Sequence, residues 1–220
     1  MDYLSSRLIY IAILIAGAAI GIKRWRRNTP AFKLLTVLIF TVLLFDGGGI
    51  ITRLLYADVT YITYGIYGPL EIAIYSGIFL CLFKNKKLRW PILIASAAII
   101  IFNTVYDLTR GDRQTVNTLS ILLKCYYYIL LSLLVFHEYI VYPNESNILK
   151  EQTFWFIASI LFVHSMVIMY WSCYKLMDPP PQRRTGEAIM IISNWIYYAT
   201  IAYILNMRPA ESLNKADEIG

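Results

Sequence analysis

The chain has 220 residues, of which 58% are hydrophobic and only 15% charged, with a formal net charge of +6. Soluble globular proteins carry about 25% charged residues, and a water-soluble chain of this length has no means of hiding so much apolar surface. Composition therefore excludes an ordinary soluble domain. The positive balance sits largely in short loops and needs no nucleic acid to explain it.

About 20 helical residues cross the roughly 30 Å of hydrocarbon in a bilayer. Seven stretches are long and apolar enough, over about 4–22, 34–56, 62–83, 90–106, 117–138, 153–174 and 186–206. Basic or turn-rich segments separate them, among them "KRWRRNTP", "KNKKLRWP", "DLTRGDRQT", "YPNES" and "MDPPPQRRTG". Backbone polar groups in lipid must be bonded within their own segment, so the stretches are predicted as helices. The alternation of a barrel strand is absent from the sequence. The expected fold class is an all-α integral membrane protein, with one seven-helix transmembrane domain over 1–206 and a short polar tail over 207–220.

Helix 1 reads as a retained span and not a secretory leader, because its basic cluster follows the apolar run. Gly17 and Gly21, with Ala12 and Ala16 before them, give it a face suited to close helix packing. The loops set the orientation. Lys23, Arg24, Arg26, Arg27 and Lys33 follow helix 1, and Lys84, Lys86, Lys87 and Arg89 follow helix 3. With the loop after helix 5 and the tail, that side collects 12 basic residues against 7 on the other. The positive-inside rule then places the amino terminus outside and the carboxyl terminus in the cytoplasm.

Helix 2 contains "FDGGGI", in which Gly47–Gly49 follow Asp46; three glycines should weaken or unwind the helix at that depth. Helix 3 contains "GPLEI", where Gly68 and Pro69 should loosen the turn before Glu71. Glu71 lies eight or nine residues into its helix, about 12–14 Å below the outer surface at 1.5 Å per residue. Asp46, Lys124 on helix 5, His164 on helix 6 and Asn194 on helix 7 fall at a similar depth. Each Asp or Lys at a helix centre costs about 2.5–3.5 kcal/mol on insertion scales, and Glu should cost a similar amount. These groups are therefore expected to face the bundle interior, with Lys124 as the partner of Glu71. Stripes at spacings of three, four and seven put Tyr64, Tyr67 and Tyr75 with Glu71, Asn117, Ser120 and Tyr128 with Lys124, and Glu187 and Tyr198 with Asn194.

Two readings fit this layer. Buried hydrogen bonds can simply lock seven helices together. Alternatively the layer is a ligand, ion or proton site entered from the outer side, with Asp46, Glu71, Lys124, His164 and Asn194 as its polar groups and Tyr67, Tyr75, Tyr128 and Tyr198 as its walls. Two carboxylates facing one lysine favour a cation, an amine or a proton, and His164 titrates in the range to tune occupancy. Intramembrane ionisable groups favour the second reading.

Several chemistries are absent. The last helix, "ISNWIYYATIAYIL", has no lysine for a retinal Schiff base, and His137 and His164 are too few for a three-histidine zinc hydrolase. Cys81, Cys125 and Cys173 lie on three helices without metal spacing. No nucleophile elbow, phosphate loop or H-E-x-x-H motif occurs. No metal and no cofactor is expected.

Three stretches taken together, "IYGPLEIAIYSGIF", "EQTFWFIASILFVHS" and "ISNWIYYATIAYIL", resemble a family of small seven-helix inner-membrane proteins from Bacteroidota. The resemblance spans most of the chain. It implies the seven-helix architecture and a bacterial inner (cytoplasmic) membrane, and it points to Tyr67, Glu71, Trp155, Asn194 and Trp195. It implies little chemistry.

Three function classes remain. A receptor-like sensor binding a small, cationic ligand suits seven helices without an obvious inverted repeat; with no output domain, it needs a separate signalling partner protein. A small-solute or proton-coupled transporter is favoured by the glycine triplet. An intramembrane enzyme acting on a lipid has the fewest residues to which a role can be given. Membrane lipid surrounds the chain in each case, and no nucleic acid is a partner.

Overall fold

A computed structural model describes residues 3–49, 60–109, 118–141, 148–173 and 180–207. Among them are seven long helices and no strand: α1 (Tyr3–Arg24), α2 (Pro30–Val42, prolonged by a π-helical turn over Leu43–Gly47), α3 (Thr60–Leu82), α4 (Arg89–Thr109), α5 (Thr118–Val141), α6 (Gln152–Cys173) and α7 (Pro180–Asn206). Short 3₁₀ turns, Lys86–Leu88 and Ile148–Lys150, lead into α4 and α6. Six of the helices are long and apolar enough to cross a membrane, and the described apolar stretch of α3, Ile66–Leu82, falls just short of the same measure. The chain is thus a helical, multi-pass membrane bundle by architecture. The outer end of the second predicted span, 50–56, and the tail beyond Met207 lie outside the described residues.

The helices pack as α1–α2–α3–α5–α6–α7 and back to α1, with α4 against the outside of α3. Large apolar side chains such as Leu8, Ile15, Leu93, Ile94, Ile101, Leu130 and Leu133 point outward, as a lipid-facing surface requires. Lipid tails are as apolar as leucine, so close packing and interhelical hydrogen bonds hold such a bundle more than the hydrophobic effect does. The expected small-residue face of α1 is where that packing is tightest. A Cβ built on Gly21 falls 2.5 Å from Thr36 Cγ2, and one on Gly17 falls 3.1 Å from Ile39 Cδ1. Both neighbours are on α2.

Polar side chains tie the helix ends at one face. The Arg24 guanidinium donates to Asn206 Oδ1 at 3.1 Å, and the Gln152 amide donates to the Ile204 and Met207 carbonyls at 2.8 and 3.3 Å. Gln152 thereby ties the start of α6 to carbonyls at the end of α7, where helical donors run out. Glu138 on α5 accepts from the backbone N–H groups of Lys84 and Asn85 at 3.0 and 3.3 Å, holding the loop that follows α3. The carboxyl ends of α1, α3, α5 and α7 therefore share one face with the basic loops, and the start of α1 is on the other. Glu151, at the entrance to α6 on this face, is buried with one carboxylate oxygen unpartnered. Burial raises its pKa above the ordinary glutamate value, and the Lys84 charge partly opposes the rise.

Two local expectations are corrected. Gly47–Gly49 do not unwind α2: Leu43–Gly47 form one wide π-helical turn, and Gly48 is helical at φ −61° and ψ −39°. Each glycine costs about 1 kcal/mol in a helix, whereas an unbonded backbone group in hydrocarbon costs several kcal/mol. Staying helical wins, and the turn widens instead. α3 likewise runs without a break through Pro69. Proline has no N–H to donate, so the helix continues there at the cost of one backbone hydrogen bond.

Candidate functional site

Of the residues predicted to share one depth, Glu71 and Lys124 meet, near the face opposite the basic loops. Glu71, on α3, accepts from Lys124 Nζ, on α5, through Oε2 at 2.5 Å. The predicted pair is formed. The same ammonium stands 5.9 Å from the centroid of the Tyr67 ring, which adds an attraction to the ring face. Asp46 faces another side of the layer, where it accepts from the Tyr10 hydroxyl, on α1, at 2.6 Å. That length is typical of a hydroxyl donating to a carboxylate. The π-helical turn carries Asp46 and follows a buried stripe of α2, Leu35, Leu38, Ile39 and Val42. π-turns of this kind occur often at functional sites.

Beneath these charges lies an aromatic floor. The Tyr75 ring packs against Tyr128 with centroids 4.4 Å apart, and Tyr128 meets the edge of His164 at 4.9 Å. The Tyr75 and Tyr197 hydroxyls are hydrogen-bonded to each other. Tyr197 packs on Tyr198 at 4.9 Å, and Tyr198 on Tyr10 at 5.5 Å. Asp46 bonds to Tyr10, and Tyr75 lies one turn from Glu71 on α3, so the aromatic chain Tyr10–Tyr198–Tyr197–Tyr75 links the two carboxylates.

Exposure falls along each helix through this cluster. Asp46, Tyr67, Lys124 and Asn194 are half-buried, whereas Tyr75, Tyr128, His164, Tyr197 and Tyr198 are buried. Below them Ile78, Phe79, Phe156, Ile160 and Ile201 are sealed completely, and the Phe79 and Phe156 rings are 5.9 Å apart. The arrangement is a charged rim, an aromatic floor, and an apolar layer between that floor and the basic face.

The remaining expectations divide. His164 belongs to the floor, and its one hydrogen bond among the described residues is local: Nδ1 carries a proton and donates to the Ile160 carbonyl at 3.0 Å. Asn194 stands one turn above Tyr198 without a hydrogen bond among the described residues. Glu187 is exposed. The side chain of Tyr64 and the whole of Asn117 lie outside the described residues. Trp155 is at the other end of the bundle, where its indole N–H donates to the Leu149 carbonyl at 2.8 Å. The indole N–H of Trp195 and the hydroxyl of Tyr128 are buried without hydrogen-bond partners. Cys81, Cys125 and Cys173 are free thiols.

Tyr10 and Tyr197 were missing from the sequence expectation. Tyr10 sits about seven residues into α1, the depth already shared by the other groups, so the criterion that found Glu71 finds it too. Tyr197 was passed over because the stripe from Asn194 was followed to Tyr198, four residues on, and not to its neighbour three residues on. Another buried polar node joins α4 to the bundle. Ser96 donates to Ser76 at 2.7 Å, and the Tyr127 hydroxyl lies 2.6 Å from Ser96 and 3.2 Å from Ser76. These two serines and the tyrosine anchor α4 to α3 and α5.

No protein family, curated protein or solved structure matches the chain.

Proposed function

We propose that the protein is a receptor-like membrane protein that binds a small cation, an organic ammonium ion or a proton, at the rim formed by Asp46, Tyr67, Glu71, Lys124 and Asn194, with Tyr75, Tyr128, His164 and Tyr198 as its floor. The observation that carries this reading is the Lys124 ammonium held by the Glu71 carboxylate and the Tyr67 ring face, with a second carboxylate, Asp46, bonded to Tyr10 on another side of the same layer. Carboxylates and aromatic faces are the two surfaces by which proteins hold ammonium ions. The gradient of exposure supports access from the rim side only, since the floor rests on sealed apolar side chains. A one-sided site suits a sensor that passes its state to a separate partner protein.

The test uses the protein reconstituted in lipid with methylammonium, choline and tetramethylammonium, and over a range of pH. Saturable rises in unfolding temperature are expected for the wild type. They should be lost in the double variant Glu71→Gln/Lys124→Met, which removes both charges without leaving either alone. On a solid-supported membrane no current should accompany binding. A current with the same concentration dependence as the stabilisation would establish the transporter alternative. No response to any ammonium ion or to pH would reduce the layer to packing.

The proposed orientation puts the rim outside a bacterial inner membrane and the basic loops in the cytoplasm, because those loops hold most of the Lys and Arg. Alkaline phosphatase fused after Gly220 should then be inactive; strong periplasmic activity would invert the assignment.

A further inference from the structure

We propose that the α1–α2 and α3–α4 connections together form a surface that binds the phosphate headgroups of anionic phospholipid. This stands apart from the cation-site reading and holds whichever way the bundle lies in the membrane. Lys23, Arg26 and Arg27 at the first connection and Lys86, Lys87 and Arg89 at the second are all exposed. Among the described residues none of the six is ion-paired, and neither 22–33 nor 83–90 contains a carboxylate. The two connections are level with each other. A Cβ built on Gly77, near the end of α3, falls 3.2 Å from Leu34 Cδ1, near the start of α2, and the two helices run in opposite directions. The positive charge is concentrated there and not spread along every connection, since 138–151 holds Glu138, Glu145 and Glu151 against Lys150. Lys84 turns towards that acidic side, with its Nζ 5.7 Å from the Tyr139 ring and its charge within reach of Glu151.

Depth selects lipid over a soluble polyanion. Lys23 is in the last turn of α1 and Arg89 opens α4, so these charges begin where the spans end, at the level of lipid phosphates. Trp25 and Trp90 are 41% and 73% exposed, and exposed indoles at the ends of spans sit among headgroups. The start of α2 adds uncharged donors. Thr29 makes no side-chain capping bond, so the first N–H groups of the helix are open at its positive end. Asn28, just before it, is 4% exposed, and neither atom of its amide has a hydrogen-bond partner. Phosphate oxygens are the acceptors such donors hold.

Native mass spectrometry of the full chain, released from micelles holding equal amounts of phosphatidylglycerol and phosphatidylcholine, decides the matter. The wild type should retain phosphatidylglycerol at least about tenfold over phosphatidylcholine, since each basic residue near a phosphate layer contributes about fivefold. The preference should fall as salt is raised. In Arg26→Gln/Arg27→Gln/Lys86→Gln/Lys87→Gln it should drop to within about twofold. The unfolding temperature in phosphatidylcholine should not change, because all four side chains are exposed. Lys150→Gln, exposed but outside the patch, should keep the full preference. Where the quadruple variant does not fold, Arg26→Gln/Arg27→Gln and Lys86→Gln/Lys87→Gln should each lose about half of it on a logarithmic scale. Equal retention of the two lipids by the wild type, or a preference that the neutralised variants keep, overturns the proposal. Retention of a single-stranded oligonucleotide in place of phosphatidylglycerol when both are present also overturns it, and assigns the surface to a soluble polyanion.

Discussion

Replacing Glu71 by glutamine, or Lys124 by methionine, is expected to destabilise the protein by about 3–5 kcal/mol, and replacing both together by less than either alone. An exposed ion pair is worth about 0–1 kcal/mol, so burial decides the size of the effect. The side chains of the pair are only 11% and 18% exposed, and the Tyr67 ring stands against the ammonium. Taking one partner away leaves the other charge in a medium that cannot solvate it. Taking both away removes the Coulombic attraction together with the cost of desolvating two ions, and these nearly cancel. Reversible unfolding in mixed micelles, read as a double-mutant cycle, gives the coupling directly. Additive losses below about 1 kcal/mol each would place the pair in a solvated setting and would remove the basis for reading the layer as a site.

That pairing was legible in the sequence, and the reason is specific to membranes. Helix direction alternates and helix rise is fixed, so position in sequence converts to depth, and depth matches partners across helices. The same arithmetic found the layer of Asp46, Glu71, Lys124, His164 and Asn194. It works less well around a helix than along it. Asp46 pairs with Tyr10, and only the packing of α1 beside α2 reveals that. Tyr197 and Tyr198 are adjacent in sequence and both reach the cluster, one through the Tyr75 hydroxyl and one through the Tyr10 ring, a distinction that heptad-like spacing cannot draw. Trp155 shows the opposite failure. A motif resemblance placed it with Glu71, yet it starts a helix on the far face and bonds to the 3₁₀ turn there. The glycine triplet was read from propensity alone, which favours unwinding; the absence of water in the hydrocarbon reverses that preference and yields a π-turn.

Glycines in this chain look alike in sequence and should behave in opposite ways, and Gly21 gives the larger effect. Gly21→Ala is expected to destabilise by about 1–3 kcal/mol, the usual range for overpacking a tight contact. The added methyl would lie 2.5 Å from Cγ2 and 2.6 Å from Oγ1 of Thr36. Thr36 cannot turn away without loss, because its hydroxyl donates to the Phe32 carbonyl at 3.0 Å and its side chain is fully buried. The helices must therefore separate, and α1 loses the van der Waals contact that holds it in lipid. Thr36→Ala removes both γ atoms but keeps the Cβ at 3.0 Å, so the double variant should recover part of the loss. Gly48→Ala is the contrasting case: a Cβ there meets nothing within 4 Å, and the backbone is already helical. It should stabilise by about 0.5–1 kcal/mol, the ordinary gain of alanine over glycine in a helix. Unfolding of the three variants in one lipid-detergent mixture separates the accounts. If Gly21→Ala were as well tolerated as Gly48→Ala, α1 would not be seated on α2 through Gly21, and the close packing of the first two helices would have to be given up.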